Sequence, residues 1–292
     1  MPTVHASAEQ AVANSPVWLI TGCSSGLGRH IARAALARGM RVVVTARDVH
    51  QLDDFVHDYP ANALALELDV TDARQIAQVV AESEHRCGGI DVLVNNAGYG
   101  YLAAIEEGEE HEVRSLFETN FFGALNMCRA VLPGMRARGR GRVINMSSQA
   151  GLMANAGTGY YSCSKYALEA LSEALGKELK PFGIHVTAVA PGPFRTDWAG
   201  RSLRQTTAPL TAYLATVGER REFVARTDGT QPGDPARAAE AVLALAASED
   251  PPAQLLLGRM VLESYRAKLL QVNAMLDAWE SVTLGADFPP DS

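Results

Sequence analysis

The chain has no long apolar run, no cysteine pairing, no histidine cluster and no basic block. Each absence removes a class of function. No apolar stretch approaches the ~20 residues a membrane-spanning helix needs. The four cysteines, Cys23, Cys87, Cys128 and Cys163, lack the paired spacing of a zinc site and read as reduced thiols. The seven histidines are scattered, so no metal is expected. The formal net charge of -7, with no basic block, argues against nucleic acid as a partner. Residues 1–15 have neither a charged leader nor an apolar centre; they are expected to form a flexible N-terminal tail, and a cytoplasmic location is expected with them. No internal repeat is present.

What is there is an ordinary globular composition, 47% hydrophobic and 20% charged over 292 residues, enough for one large α/β domain. Short apolar runs at 17–21, 41–46, 63–68, 91–95, 141–146, 184–190 and 254–258 alternate with helix-like segments. That alternation predicts a doubly wound, seven-stranded parallel sheet of Rossmann type over 16–292, with helices on both faces. After the first run come Gly22, Cys23, Ser24, Ser25, Gly26, Leu27 and Gly28, then an apolar-periodic helix that ends at Gly39. Strand, glycine turn and helix in that order suit a dinucleotide. Glycine lets the backbone approach a pyrophosphate, and the helix N-terminus offers it free N–H groups. The second run ends in Ala46-Arg47. A carboxylate there would grip the ribose 2′-hydroxyl of NAD, whereas an arginine fork suits a 2′-phosphate, with Ser24 and Ser25 as further donors. NADP(H) is therefore the expected cofactor, with NAD(H) as the alternative. Tyr161 and Lys165 stand four apart, on one face of a helix expected over 159–180. A nearby cation is expected to lower the tyrosine pKa and fit it for proton transfer near neutral pH.

With those pieces assembled, the chain resembles the short-chain dehydrogenase/reductase family over about residues 16–200. Thr21-Gly22-x-x-x-Gly26-x-Gly28 looks like its cofactor signature, and Asn95-Asn96-Ala97-Gly98 like its second motif. Asn120, Ser148, Tyr161 and Lys165 match its catalytic tetrad in order and spacing. Pro191-Gly192-Pro193-Phe194-Arg195-Thr196 matches its Pro-Gly motif. Gly22-Cys23-Ser24-Ser25-Gly26 and Thr45-Ala46-Arg47-Asp48 are similar to the 17β-hydroxysteroid-dehydrogenase-like, NADP-using branch. The resemblance implies an oxidoreductase moving a hydride between NADP(H) and a carbonyl/secondary alcohol pair. It implies that Asp69 and Val70 meet the adenine, that Asn95 braces the sheet near the adenosine, and that Gly98 allows close backbone approach. It further implies that Asn120 holds a water behind Lys165, that Ser148 bonds the substrate carbonyl, and that Thr196 contacts the nicotinamide amide.

The segment 195–232 follows the sixth strand, where lids and substrate pockets occur. It is expected to be a mobile lid, broken by Pro209 and Gly218. With Phe194 and Trp198, and with Tyr99, Tyr101, Leu152, Met153 and Asn155 on other walls, it is expected to give a mainly apolar pocket for a hydrophobic ketone. An amphipathic helical extension is expected over 260–282. It would disfavour a tetramer and leave a homodimer through the helices at 110–137 and 159–180. Alternatives are an NAD-linked alcohol oxidiser and a nucleotide-sensing protein without catalysis. An extended-type epimerase is disfavoured by its different glycine turn.

Overall fold

The computed structural model describes residues 15–288; the expected N-terminal tail lies almost wholly outside them. Strands β1 (Val17–Ile20), β2 (Arg41–Ala46), β3 (Ala63–Glu67), β4 (Val92–Asn95), β6 (Gly141–Met146), β7 (Ile184–Pro191) and β9 (Gln254–Leu257) form one parallel sheet in the order β3-β2-β1-β4-β6-β7-β9. Both faces are covered, so the strands carry no polar alternation. Trp18 and Ile20 of β1 pack on one side with Ile31 and Leu36 of helix α1 (Gly26–Ala37). Helix α8 (Pro235–Ala247) adds Val242 and Leu243 to that core. Val17 and Leu19 face the other way, toward Val79 of α3 (Ala73–Cys87), Val131 of α5 (Ala124–Arg138) and Leu175 of α6 (Gly159–Leu179).

Local chemistry sets the helix ends. Asp72 caps α3 by accepting from the Arg74 and Gln75 backbone N–H groups, and Gly88 closes it at φ +75°. Asp234 caps α8 in the same way ahead of Pro235. Short helices α2 (Asp53–Asp58) and α4 (Glu110–Phe117) complete the main layers; a wide π-type turn over Glu118–Gly123 joins α4 to α5.

Between β1 and β4 the strand order reverses, and the loops there part to open a cleft at the carboxyl ends of the strands. One feature departs from the sequence reading. A second, two-stranded parallel sheet pairs β5 (Gly100–Leu102) with β8 (Leu203–Gln205) and ties the 195–232 segment to the body. That segment continues through α7 (Glu219–Thr227). Its Arg221 pairs with buried Glu107, whose carboxylate also accepts from the Ala104 and Leu210 N–H groups. The C-terminal helix α9 spans Arg259–Leu284, with Val261 alone fully buried. No helix among the described residues is long and apolar enough to cross a membrane.

Candidate active site

The cleft holds about 960 Å³ and runs from the glycine turn to α7. Gly22 and Gly26 take φ +72° and +60°, a left-handed backbone that other residues rarely adopt. Ser25 at the N-cap of α1 makes no side-chain cap, so the first-turn N–H groups of α1 have no side-chain acceptor. Gly28 lies behind the cleft wall. A Cβ there would come within 2.3 Å of Asn96 Nδ2 and 2.6 Å of the Gly22 carbonyl. Asn96 is the side chain that locks this turn, donating to the Thr21 and Gly22 carbonyls at 2.9 and 3.0 Å. Sequence reading passed over it, although its place inside the Asn-Asn-Ala-Gly motif was a signal. A cradle of turn glycines at a helix N-terminus fits a dinucleotide pyrophosphate.

Arg47 lines the same end of the cleft and has no ion-pair partner among the described residues. Its neighbour Asp48 does not divert it. That carboxylate accepts from the His50 backbone N–H and from Gln51 Nε2 at the start of the turn after β2. Asp69 and Val70 form the facing wall; Asp69 Oδ1 accepts from the Thr71 N–H and hydroxyl.

The tetrad residues converge from three elements. Ser148 follows β6, Tyr161 and Lys165 lie on α6, and Asn120 sits in the π-type turn. Lys165 Nζ donates to the Met146 carbonyl at 2.7 Å and lies 5.9 Å from the Tyr161 ring centre. Asn120 is 1% exposed. Its Nδ2 donates to the Tyr99 carbonyl and to Ser164 Oγ, and its Oδ1 accepts from the Tyr99 N–H. A Cβ on Gly98 would stand 2.9 Å from Asn120 Oδ1 and 3.6 Å from Lys165 Nζ, so only glycine lets that loop cross behind the lysine. Tyr160, next to Tyr161, turns away and donates to the Ile105 carbonyl at 2.6 Å.

Electrostatics correct one expectation. Burial pushes the Tyr161 phenol up to about 12, opposed by a hydrogen bond with Ser148. Burial pulls Lys165 down to about 8, opposed by Glu169 one turn on. Burial, not the i, i+4 cation, thus sets the direction of the tyrosine's shift in the free protein, and the ammonium is directed at the Met146 carbonyl rather than at the phenol oxygen.

Of the residues singled out from sequence, Gly22, Ser24, Ser25, Gly26, Leu27, Ala97, Gly98, Tyr99, Pro191, Gly192, Phe194, Thr196 and Trp198 line the cleft with Ser148, Tyr161 and Lys165. Four do not. Gly28 and Asn120 stand directly behind it. Asn95 is 4% exposed and belongs to a buried polar chain, donating to Asn145 Oδ1 at 2.8 Å while Asn145 donates to Ser172 Oγ. It braces β4 against β6 instead of facing the cleft. Met153 packs with Leu152, Val261 and Tyr265 beneath α9 and is not a pocket residue. Tyr101 is also buried away, donating to Glu109.

Trp198 closes over Tyr161, with ring centres 5.7 Å apart at 50°. The wall beyond is mixed rather than mainly apolar. It sets Arg201, Arg204 and Arg220 beside Phe223 and Val224.

Comparison with known proteins agrees with this geometry. A family profile described as short chain dehydrogenase matches residues 16–207. Oxidoreductase BOA17 of Botryotinia fuckeliana is 36% identical over 272 residues, 92% of this chain and 98% of its own length. The 3-ketodihydrosphingosine reductase of Bacteroides thetaiotaomicron is 36% identical over 244 residues, 83% of this chain and 88% of its own length. Among solved structures, a short-chain dehydrogenase from Streptomyces avermitilis superposes with a TM-score of 0.89 at 46% identity, covering 94% of this chain and all of its own. A glycine turn at a helix N-terminus and a serine–tyrosine–lysine group thus share one cleft in a chain with oxidoreductase relatives along most of its length. The chain belongs to the short-chain dehydrogenase family and is an NAD(P)-dependent oxidoreductase.

Proposed function

We propose that the protein prefers NADP(H) and transfers a hydride between it and a carbonyl/secondary alcohol pair on a largely hydrophobic molecule. The observation that carries the cofactor preference is Arg47, a cleft-lining guanidinium without an ion pair at the end of β2, where a carboxylate would favour NAD. In this reading the chain resembles the NADP-using, 17β-hydroxysteroid-dehydrogenase-like branch.

The cofactor supplies or accepts the hydride. The protein's own residues do the rest. The turn Gly22–Gly28 and the loop Ala97-Gly98 would hold the pyrophosphate and adenosine side of the cofactor, Asp69 and Val70 would flank its adenine, and Pro191, Gly192 and Thr196 would bound its nicotinamide side. Ser148 donates a hydrogen bond to the carbonyl oxygen. Tyr161 gives that oxygen its proton during reduction and takes one back during oxidation. Lys165 keeps a positive charge beside the developing phenolate, and Asn120 fixes the backbone behind it. Trp198, Phe194 and Tyr99 keep water from the reacting carbon.

The relative named as a 3-ketodihydrosphingosine reductase carries a long-chain ketone in its name, which supports a hydrophobic carbonyl substrate here. Segment 195–232 serves as the cover of the site, and a dimer forms through α4–α5 and α6, where Phe122 and Tyr166 are exposed. The test is turnover against a panel of ketones and alcohols, with NADPH and NADH each followed by its absorbance. Reduction of apolar ketones with NADPH at least tenfold more efficient than with NADH is expected, from one charge-assisted contact. Preference for NADH would contradict the reading.

A further inference from the structure

Four arginines line the cleft, and two of them have carboxylate or amide partners. Arg201 donates to Gln51 Oε1 at 2.8 Å and Arg204 to Glu112 Oε2 at 2.7 Å. Arg47 is accounted for by the cofactor reading. Arg220 is different. It has no ion pair among the described residues, and its Nε is buried with no hydrogen-bond partner. Its guanidinium stands 5.3 Å from the Phe223 ring. Burial lowers its pKa with no carboxylate opposing. Arg221, the next residue, shows what an arginine on this helix does when its role is structural: it is paired with buried Glu107.

Arg220 also has a fixed place in the lining. Arg220, Phe223, Val224 and Thr227 all face the cleft, at i, i+3, i+4 and i+7 of α7. They form one stripe on one helix face. Along it a cation is followed by apolar surface, on the wall that Trp198 and Tyr161 also share. A buried Nε–H with no acceptor, on an otherwise half-buried side chain, is unfavourable unless a ligand supplies one, and the planar guanidinium fork matches a carboxylate or phosphate.

We propose that Arg220 is a specificity-determining residue that reads an anionic group on an otherwise hydrophobic carbonyl substrate, so that the preferred substrate is an amphiphilic oxo acid. This deepens the reading of the cleft given above and rests on it. A phosphate of the dinucleotide offers the same oxygen chemistry, and the test separates the two sources.

The intact chain is titrated with 9-oxodecanoate and with its methyl ester, read by tryptophan fluorescence because Trp198 lines the cleft. The acid is expected to bind about tenfold or more tighter than the ester, the effect of one charge-assisted contact. Arg220→Gln should bring the two within about twofold, and Arg220→Lys should restore part of the preference, since a point charge remains without the fork. NADPH titrated into the same variants should bind with nearly unchanged affinity. Equal binding of acid and ester by the unmodified protein would overturn the proposal. So would an acid preference that survives Arg220→Gln. If Arg220→Gln weakens NADPH and leaves the acid preference alone, the anion read is the cofactor's and the proposal fails. Binding needs no turnover, so an inert carbonyl would count against hydride transfer and leave this result readable. Equal turnover of acid and ester would sink the specificity while leaving hydride transfer in place.

Discussion

The two ends of the cleft are built from different material. At the glycine turn the walls are short loops that leave the carboxyl ends of the central strands, and their shape comes from backbone: φ +72° at Gly22, φ +60° at Gly26, and a Gly28 with no room for a Cβ. At the far end the walls are the segment from Pro193 to Gly233. Apart from the short β5–β8 pairing, it is placed by side-chain ties across long sequence gaps, namely Arg221 to Glu107, Arg204 to Glu112, Thr207 to Glu109 and Tyr213 to Glu106. Backbone geometry is dictated locally and leaves little freedom. Side-chain ties can be exchanged, which lets one scaffold keep its cofactor end and vary its substrate end.

Substitutions can break this contrast at either end. The largest effect is expected at the junction. Lys165→Met should lower turnover by about 10²–10⁴, the usual loss with acid–base help. The pH profile gives a sharper sign. Burial holds Lys165 near 8, so it is charged below that value and neutral above it. Its charge favours the phenolate left on Tyr161 during reduction. Ketone reduction should therefore be highest below about pH 8 and fall above it, and Lys165→Met should lose that falling limb. A variant profile identical to that of the unmodified enzyme would remove Lys165 from the mechanism.

At the cofactor end, Arg47→Ala should weaken NADPH by about ten- to a hundredfold and leave NADH nearly unchanged, since one charge-assisted contact is worth ~1.5–3 kcal/mol. Equal losses for both cofactors would mean that Arg47 does not meet the 2′-phosphate. A smaller effect is expected at the substrate end from Glu107→Gln, which removes the charge facing Arg221. Hydrogen exchange should speed up over residues 203–227 while α1 stays protected. NADPH affinity should hold. Unchanged protection there would show that the β5–β8 pairing alone fixes the segment, and that the cover behaves like the rigid end.

The same contrast governs what the sequence discloses. The seven main strands were legible because a sheet buried on both faces needs unbroken apolar runs, and each run stands between helix signals such as Asp234-Pro235. The glycine turn and the tetrad were legible because their chemistry demands fixed residue types at fixed spacing. Strands β5 and β8 were not. Three residues each show no periodicity, and their partner lies about a hundred positions away. Met153 was misplaced because its apolar character suited either the pocket or the floor beneath α9, and contact with Val261 and Tyr265 decides for the floor. Asn95 braces the sheet as expected but does not line the cofactor cleft; nothing local announces its buried chain through Asn145 to Ser172. The tyrosine pKa was misjudged for a related reason. Helical spacing shows which charge is near, but the depth of burial that pushes Tyr161 up to about 12 is a property of the folded whole.

The central claim is that Tyr161 passes the proton while the glycine turn independently holds the cofactor. Tyr161→Phe, with folding verified by its melting curve, tests both halves in one preparation. NADPH affinity should stay within about threefold of the unmodified protein, and the single-turnover rate of ketone reduction should fall by at least the ~10²–10⁴ that acid–base help supplies. A near-normal rate, or a loss of cofactor binding that accounts for the whole defect, would contradict the account.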